Sequence, residues 1–548
     1  MILRPYQNDA VSNIHDAWKE HRSALIVLPT GTGKTIVFSH IAGSVRGRVM
    51  VIAHREELIS QAARKIKAVT GDEADVEMGD FWATEGVFNR SRVVVSSVQT
   101  QNAGMNGNGR MSRFDPEQFD LLIIDEAHHA TAPTYRRLID HYRQNPDLKV
   151  LGVTATPDRA DEEALGQVFE SVAFDYEIAD AIADGWLVPV RQRAVYVKGL
   201  DYSSVRTTAG DLNGADLARI LEYEEALHGI AHPTMELVGT RKALVFAASV
   251  AHAERLAEIF NRHRPGCARF VCGTTPKDER RDMFADYAAS KFSILVNVGV
   301  ATEGFDDPSI EVVVMARPTK SRSLYAQMAG RGTRTLPDIV DGLASSDDRK
   351  AAIAGSAKPF VEVIDFVGNS GRHKLMTTAD ILGGKHSDAV VERARKKINE
   401  DCDGQARDIE EILAEAEDEL RREKEREMAR RAGLRVRANY STDSVDPFDV
   451  LQLDPVTARG WDRAKQPTSK QLDLLERKGV DVTNLTFTNC SQIIGEIIHR
   501  QKAGQCTFKQ AKILAKYGYP SSVTFEEASK TIDAIAKNGW RRPEESVA

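Results

Sequence analysis

A glycine-rich octapeptide near the amino terminus constrains this chain more than any other stretch. Residues 28–35 read LPTGTGKT, after an apolar run that predicts a buried strand and before a segment that predicts a helix. Strand, glycine-rich loop and helix in this order form the phosphate-binding context of a P-loop. Lys34 would reach the terminal phosphates and the Thr35 hydroxyl would ligate Mg²⁺. The candidate phosphate-binding residues are Thr30, Gly31, Thr32, Gly33, Lys34 and Thr35.

The first glycine of the usual P-loop pattern is replaced by Leu28. The loop alone therefore leaves two interpretations open, an ATP site or a glycine-rich turn that happens to precede a lysine. The remaining motifs have to decide between them.

Composition excludes several classes of protein. A chain of 548 residues is too long for a single core, and its apolar runs have the length of strands and not of membrane spans. The five cysteines have no paired spacing, which argues against a disulfide framework and against a zinc site. With no signal peptide at Met1, we expect a reducing, cytoplasmic setting. Because the net charge is −7, nucleic acid would have to be held by local donors.

The first part of the chain alternates apolar runs with helical periodicity, and each run ends in polar residues. This alternation predicts a doubly wound parallel α/β sheet, which binds ligands at the carboxyl ends of its strands. The predicted strands are residues 24–28, 47–53, 92–97, 119–125 and 149–153.

The fourth of these strands ends in two adjacent acids, Asp125 and Glu126. An aspartate there can hold Mg²⁺ opposite Thr35, and the neighbouring glutamate can orient and deprotonate the attacking water. Paired acids can also be a plain helix cap. With a P-loop upstream we prefer the catalytic interpretation, and we expect His128 to couple the site to the rest of the chain unless it is merely structural.

A second alternating block, without a P-loop, begins near Lys242. Before its last predicted strand the sequence LYAQMAGRGTR sets Arg331 and Arg334 three residues apart among glycines. Guanidinium groups so placed suit a γ-phosphate supplied across a cleft, an arginine-finger arrangement. The alternative is a basic turn on a solvated surface. The strands are predicted at residues 242–247, 268–273, 292–297, 311–315 and 360–365, the last of them closing the sheet.

Five motifs together resemble superfamily 2 helicases of the DEAD/DEAH-box type. They are LPTGTGKT, DEAH at 125–128, TAT at 154–156, GFD at 304–306 and QMAGRGTR at 327–334, and the resemblance covers residues 1 to about 370. Within that superfamily the wording LRPYQ, VIAHREEL, SVQT and VNVGVATEGFDDP looks most like bacterial RadD-type and phage-encoded DNA helicases. RadD-type proteins also carry a cysteine-rich zinc element after the motor, which this sequence lacks.

The resemblance implies two RecA-like lobes that close over ATP and Mg²⁺, with Gln7 reading adenine and with Gly304 and Asp306 facing the nucleotide. It implies catalytic roles for Lys34, Asp125, Glu126, Gln327, Arg331 and Arg334, with Arg331 and Arg334 as the fingers. Relay of the nucleotide state between the lobes is implied for His128, Thr154, Thr156 and Gln327. The residues implied to line a nucleic-acid track are His54, Arg55, Gln99, Thr100, Gly273, Thr274 and Thr302.

The remainder of the chain predicts an all-α extension. A charged segment shows helical spacing, and it is either a solvated spacer or a face for a partner or DNA. At the end, QLDLLERKG at 471–479 matches QAKILAKYG at 510–518, which predicts two helical hairpins that share one core. Basic residues on their first helices favour nucleic-acid or partner docking over a plain stabilising cap. They are Lys470, Arg477, Lys478, Lys509, Lys512 and Lys516.

The sequence thus predicts two α/β lobes at 1–190 and 237–385, an inter-lobe connection at 191–236, a charged helical segment at 386–435, a linker at 436–467 and tandem helical hairpins at 468–548. By resemblance the function is an ATP-dependent DNA helicase or translocase acting on single-stranded or forked DNA. The alternatives are a nucleic-acid-binding adaptor with a silent ATPase and the motor subunit of a nuclease system. A protein partner at the hairpins is a further expectation.

Overall fold

The computed structural model describes residues 3–83, 90–104, 110–155, 165–208, 210–301, 305–369, 375–383, 386–400, 407–435, 446–456, 465–482 and 485–540. Thr156, Thr302 and Gly304, to which the resemblance assigned roles, lie outside these residues. The chain divides into two compact units, residues 1–384 with 397–410 and residues 385–396 with 411–548. Both α/β lobes belong to the first unit.

The first lobe is built on a seven-stranded parallel sheet, with the strand order β3-β4-β2-β5-β6-β1-β7. Its strands are β1 (Ser23–Val27), β2 (Arg48–Ala53), β3 (Ala74–Glu77), β4 (Val93–Ser97), β5 (Phe119–Asp125), β6 (Lys149–Thr154) and β7 (Ser171–Asp175). Its helices are α1 (Pro5–Glu20), α2 (Lys34–Ser44), α3 (Glu56–Thr70), α4 (Val98–Asn102), α5 (Pro133–Tyr142) and α6 (Ile178–Ala183), with 3₁₀ turns at Arg110–Arg113, Pro116–Gln118 and Ala127–Thr131.

The five predicted strands form the centre of this sheet, and two further strands form its edges. β3 and β7 are only partly buried, so neither carries the continuous apolar run that marks a central parallel strand. Both strands are short and mix polar with apolar residues, so no long apolar run marks them in the sequence.

The second lobe has its own seven-stranded sheet, with the order β12-β13-β11-β14-β15-β8-β16. Its strands are β8 (Val190–Asp201), β11 (Ala243–Phe246), β12 (Ala268–Val271), β13 (Ile294–Asn297), β14 (Val312–Met315), β15 (Val361–Asn369) and β16 (Arg407–Asp408), and the small pair β9 (Thr207–Thr208) and β10 (Asp211–Leu212) lies outside it. Its helices are α7 (Gly214–Leu221), α8 (Glu224–Val238), α9 (Val250–His263), α10 (Lys277–Ala288), α11 (Arg322–Gly330), α12 (Ser346–Ala354) and α13 (Thr378–Leu382).

The segment assigned above to an inter-lobe connection contributes directly to this second lobe. β8 pairs in parallel with β15 from Val190↔Val361 onward, so β15 does not close the sheet. Leu217, Leu227 and Ile230 are buried in the same core as strand residues of β11 and β14. The first residue of β8 therefore marks the passage from one lobe to the other.

The charged segment and the carboxyl-terminal region are helical. The helices are α14 (Asp388–Glu400), α15 (Ile409–Arg435), α16 (Pro447–Leu451), α17 (Ser469–Lys478), α18 (Phe487–Lys502), α19 (Phe508–Lys516) and α20 (Phe525–Lys537). Ile409, Ile412 and Leu413 are buried, so one face of α15 is not solvated. Among the residues that the structure describes, no helix combines the length and the apolar character needed to cross a membrane.

The two hairpins, α17–α18 and α19–α20, repeat at the level of single hydrogen bonds. In each, an N-cap threonine closes a capping box, and a glutamine of the first helix donates to a serine of the second. These bonds join Gln471 to Ser491 at 3.0 Å and Gln510 to Ser529 at 2.9 Å. The hairpins share one hydrophobic core, which also takes in Phe448 and Leu451 from the segment predicted to be a linker.

Candidate functional site

The glycine-rich loop joins β1 to α2 at the carboxyl edge of the first sheet. Gly31 and Gly33 have φ values of +90° and +83°, a region that favours glycine. A Cβ on Gly33 would lie 2.7 Å from Nε2 of Gln7, so the position also requires glycine for space. Because the loop ends at the amino terminus of an 11-residue helix, it has the form of a phosphate cradle.

Lys34 faces the two acids at the end of β5. Its Nζ lies 3.1 Å from Oε1 of Glu126, and both side chains are largely buried. Glu126 itself has a φ of +49° and donates its backbone N–H to Oδ1 of Asp125 at 3.0 Å. Burial, reinforced by repulsion from Glu126, raises the pKa of Asp125 well above its usual range. The site therefore brings two carboxyl groups and one ammonium together among largely buried side chains.

The histidine of the DEAH motif connects this site to the end of β6. Its Nδ1 lies 3.2 Å from Oγ1 of Thr154 and 3.5 Å from Oε2 of Glu126. His128 also lines a cavity of about 510 Å³ between the lobes, to which Gln327 and Arg317 of the second lobe contribute. His128, Thr154 and Gln327 are therefore brought to one region of the cleft, and their role as a relay between the lobes stays a prediction.

The second lobe contacts the glycine-rich loop directly. Arg334 forms an ion pair with Asp306, and its Cγ would lie 2.9 Å from a Cβ on Gly31. Desolvation by burial lowers the pKa of Arg334 to about 10. Arg331 is buried and its Nη1 donates to the backbone oxygen of Phe305 at 2.6 Å. Of the two predicted fingers, Arg334 is thus the one beside the phosphate cradle.

Gln7 is buried against the loop with its amide engaged. Nε2 donates to the backbone oxygen of Thr32 at 2.8 Å, and Oε1 accepts from the backbone N–H of Arg4 at 2.9 Å. Beside it, the ring of Tyr6 stacks on Tyr176 with 4.8 Å between centroids.

Two further aromatic contacts at this end of the loop are absent from the sequence analysis. Tyr176 follows the unpredicted strand β7, and Trp186 carries the guanidinium of Arg4 at 4.6 Å from its ring. No motif marks these residues. Tyr176 reaches the site because it directly follows the edge strand β7, whereas Trp186 follows the helix α6.

The residues implied to line a nucleic-acid track are divided between two places. Arg55 donates from Nη1 to the backbone oxygen of Gly299 at 2.8 Å, across the cleft, and the ring of His54 meets His129 edge to face. Gln99 is exposed at the start of α4, whereas Thr100 is buried and its hydroxyl bonds within the protein.

Gly273 and Thr274, on the second lobe, are exposed, and the Thr274 hydroxyl lies 3.1 Å from the sulfur of Cys272. A role for these residues in binding nucleic acid stays a prediction.

The donor set fits a nucleoside triphosphate with a divalent cation. The cradle supplies backbone N–H groups and one ammonium, and that ammonium is neutralised here by the carboxylate of Glu126. Thr35 and Asp125 offer oxygen ligands of the kind that Mg²⁺ prefers.

Family comparisons match both lobes. Residues 1–159 match the family described as the res subunit of type III restriction enzymes, and residues 227–335 match the helicase conserved C-terminal domain. The chain is 31% identical over 352 residues to IRC3 of Saccharomyces cerevisiae, a protein provisionally named as an ATP-dependent helicase. That match covers 61% of this chain and 49% of IRC3.

Two further likenesses come from a phage and from an archaeal structure. A 51.5 kDa protein of a Lactococcus phage is 29% identical, over 57% of this chain and 62% of its own length. The helicase domain of Hef from Pyrococcus furiosus is 17% identical with a TM-score of 0.41, over 67% of this chain and 96% of that domain. The chain spans about half the length of the yeast relatives that it matches. A specific likeness to RadD-type proteins stays a prediction.

Proposed function

The chain belongs to the superfamily 2 helicases, and on that premise we propose that it is an ATP-dependent motor that translocates along DNA and unwinds or remodels forked DNA. Binding of ATP would close the two lobes, and release of its products would let them part. Repetition of this cycle would move the protein along one strand.

One observation carries the proposal most directly. The ammonium of Lys34, the carboxylate of Glu126 and the guanidinium of Arg334 converge on the same loop from three elements and two lobes. A structural ion pair would not need the second lobe. A site that binds and hydrolyses a nucleotide between two lobes needs charged groups from both lobes.

Each residue has a defined task in this proposal. Lys34 would exchange its partner Glu126 for the phosphates, which frees that carboxylate to orient and accept a proton from the attacking water. Thr35 and Asp125 would hold Mg²⁺, which neutralises charge on the phosphates. Arg334 would add positive charge from the second lobe, a contribution worth about 10³–10⁵ in rate for arginine fingers.

The decisive experiment is steady-state ATP hydrolysis by wild type and by Glu126→Gln. It is run without nucleic acid and with single-stranded DNA, double-stranded DNA, forked DNA or RNA. We expect strong stimulation by one form of DNA, and a loss of at least about 10²-fold in the variant because the general base is removed. ATP binding should survive, since glutamine keeps the shape of the glutamate side chain.

Either of two results would contradict the proposal. Firm DNA binding without hydrolysis that depends on Glu126 would leave a nucleic-acid-binding adaptor with a silent ATPase. Stimulation of ATP hydrolysis by RNA alone would mean that the motor acts on RNA and not on DNA.

A second candidate function is the motor subunit of a nuclease system. It is favoured by the family description matched at residues 1–159. Hydrolysis would then depend on double-stranded DNA and not on a free single strand. The same panel of nucleic acids separates the two functions.

We also propose that the tandem hairpins dock nucleic acid or a protein partner. A cavity of about 510 Å³ within them is lined by four cationic residues and, among the described residues, by no acid. The cations are Arg477, Lys478, Arg500 and Lys509. The plain stabilising cap remains the alternative, and it predicts that removal of these charges leaves all binding unchanged.

A further inference from the structure

The turn Gly79–Trp82 of the first lobe exposes the aromatic rings of two consecutive residues. It follows β3 and reverses at an isolated bridge between Met78 and Phe81. Phe81 is 62% exposed and Trp82 is 58% exposed. Burying a large apolar side chain is favourable, so leaving it in water forgoes stability. Two large rings exposed to water in successive residues are therefore more readily explained by binding than by folding.

Two arginines and a buried glutamate hold the backbone of the turn in place. Arg110 donates from Nη1 to the backbone oxygen of Gly79 at 2.6 Å and from Nη2 to that of Phe81 at 2.9 Å. The same guanidinium pairs with the fully buried carboxylate of Glu77 at 2.6 Å, and Arg113 pairs with that carboxylate at 3.1 Å. The rings are thus presented by a fixed backbone, so little order would have to be imposed on them when a ligand binds.

The same two cations lie against the indole. The guanidinium carbon of Arg110 is 3.4 Å from the centroid of the Trp82 ring, and that of Arg113 is 4.5 Å away. The side chain of Arg113 is 33% exposed. Aromatic faces beside accessible positive charge are the combination that binds single-stranded nucleic acid, with bases stacked on the rings and phosphates near the cations.

The position of the turn connects it to the proposed track. The backbone N–H of Gly79 donates to the hydroxyl of Thr100 at 3.3 Å. Thr100 and the exposed Gln99 belong to α4, and the resemblance to superfamily 2 helicases predicts that both residues line the nucleic-acid track. The aromatic turn is therefore joined to α4 by a direct hydrogen bond.

We propose that Phe81 and Trp82 form a stacking platform for unpaired bases of a single DNA strand. The platform rests on the proposed function for its ligand, but not on the ATP chemistry of the glycine-rich loop. Stacking on rings accepts any base, so the platform would hold a strand without selecting its sequence.

The test uses the full chain with Phe81→Ala, Trp82→Ala and the double variant. Tyr223→Ala, at a ring that is 70% exposed in the second lobe, is the matched control. Binding of an oligothymidylate and of an abasic oligonucleotide of equal length is measured by fluorescence anisotropy. Each lost stacking contact should weaken oligothymidylate binding by roughly 5- to 150-fold, as expected for 1–3 kcal/mol per base.

The abasic strand separates stacking from charge. We expect wild type and the double variant to bind it equally, and we expect Trp82→Phe to restore most of the affinity that Trp82→Ala loses. Equal losses on both oligonucleotides, or unchanged affinity for oligothymidylate, would overturn the platform. ATP hydrolysis is measured separately, so a wild type that binds the strand without hydrolysing ATP would contradict the proposed function and leave the platform standing.

Discussion

At the scale of single residues, three backbone positions with positive φ surround the candidate site. They are Gly31, Gly33 and Glu126. Glutamate has a Cβ, and the left-handed region costs a residue of this kind about 1–2 kcal/mol. Its neighbour Asp125 holds the conformation by accepting the Glu126 N–H. Strain retained at the end of a buried strand points to a function that the conformation serves.

Gly33→Ala tests whether the shape of the loop matters apart from its stability. Both Gly33→Ala and the control Gly71→Ala introduce a Cβ at similar φ, +83° and +80°, but only the first has a neighbour within 4 Å. We expect Gly71→Ala to lower the free energy of unfolding by about 1 kcal/mol, and Gly33→Ala to lower it further because its Cβ would crowd Gln7. Only Gly33→Ala should weaken binding of a non-hydrolysable ATP analogue, by about 10-fold or more, equivalent to 1.4 kcal/mol.

Calorimetric titration with the analogue and denaturant unfolding of both variants provide the comparison. Equal affinity of the two variants for the analogue would show that crowding of Gln7 by a Cβ at residue 33 does not affect nucleotide binding.

At the scale of elements, a strand or loop could be predicted from the sequence when the residues that define it are contiguous. The five central strands of the first sheet and the glycine-rich loop follow from contiguous residues. The place of β8 does not follow from contiguous residues. Its alternating sequence indicates a strand but not the strand that it pairs with, which is β15, about 170 residues later in the chain. The stack of Tyr6 on Tyr176 was missed for the same reason, since an edge strand brings the two residues together.

The tandem hairpins allow a test of a single capping contact. Thr507 caps α19, and its Oγ1 donates to Oε1 of Gln510 at 3.0 Å. Thr507→Ala should cost the helix about 1 kcal/mol, within the 0.5–2 kcal/mol measured for such caps. Faster hydrogen exchange of the backbone amides at 508–516 in the full chain would report this loss.

Thr531→Ala is the matched control. Thr531 lies inside α20 and donates its hydroxyl to the backbone oxygen of Glu527 at 2.9 Å, where alanine is the better helix former. We expect no increase in exchange for this variant. Similar rates of amide hydrogen exchange in the two variants would contradict a stabilising role for the Thr507 cap.

At the scale of the whole molecule, ion pairs and hydrogen bonds join the two lobes at several places. Arg280 pairs with Glu57 at 2.8 Å, and Arg55 reaches the backbone of Gly299. Partly exposed ion pairs of this kind typically contribute about 0–1 kcal/mol. Closer contact occurs at the glycine-rich loop, where Gly330 of the second lobe packs on Thr30. Closure of the lobes is therefore sensitive to the size of the side chain at the contact between Gly330 and Thr30.

Gly330→Ala separates closure from folding. Gly330 ends α11, where alanine should leave the free energy of unfolding unchanged or raise it by up to about 1 kcal/mol. The added Cβ would lie 3.1 Å from Cβ of Thr30, so the lobes have to give by a few tenths of an ångström. We expect kcat for ATP hydrolysis to fall by about 10-fold, less than the 10²-fold that a 1 Å displacement can cost.

Gly355→Ala, whose Cβ would make only an ordinary contact at 3.5 Å, serves as the control. Wild-type kcat in Gly330→Ala would mean that hydrolysis does not need the two lobes at this separation.

The pairing of β8 with β15 also has a consequence for the newly made chain. All strands of the first sheet have been synthesised once the chain reaches Asp175, so the first lobe can fold while synthesis continues. β8 follows at once, but its partner begins only at Val361. Until then the edge of β8 has no strand to pair with, and such edges invite aggregation. The interval between the two strands is where nascent chains of this protein would most need a chaperone.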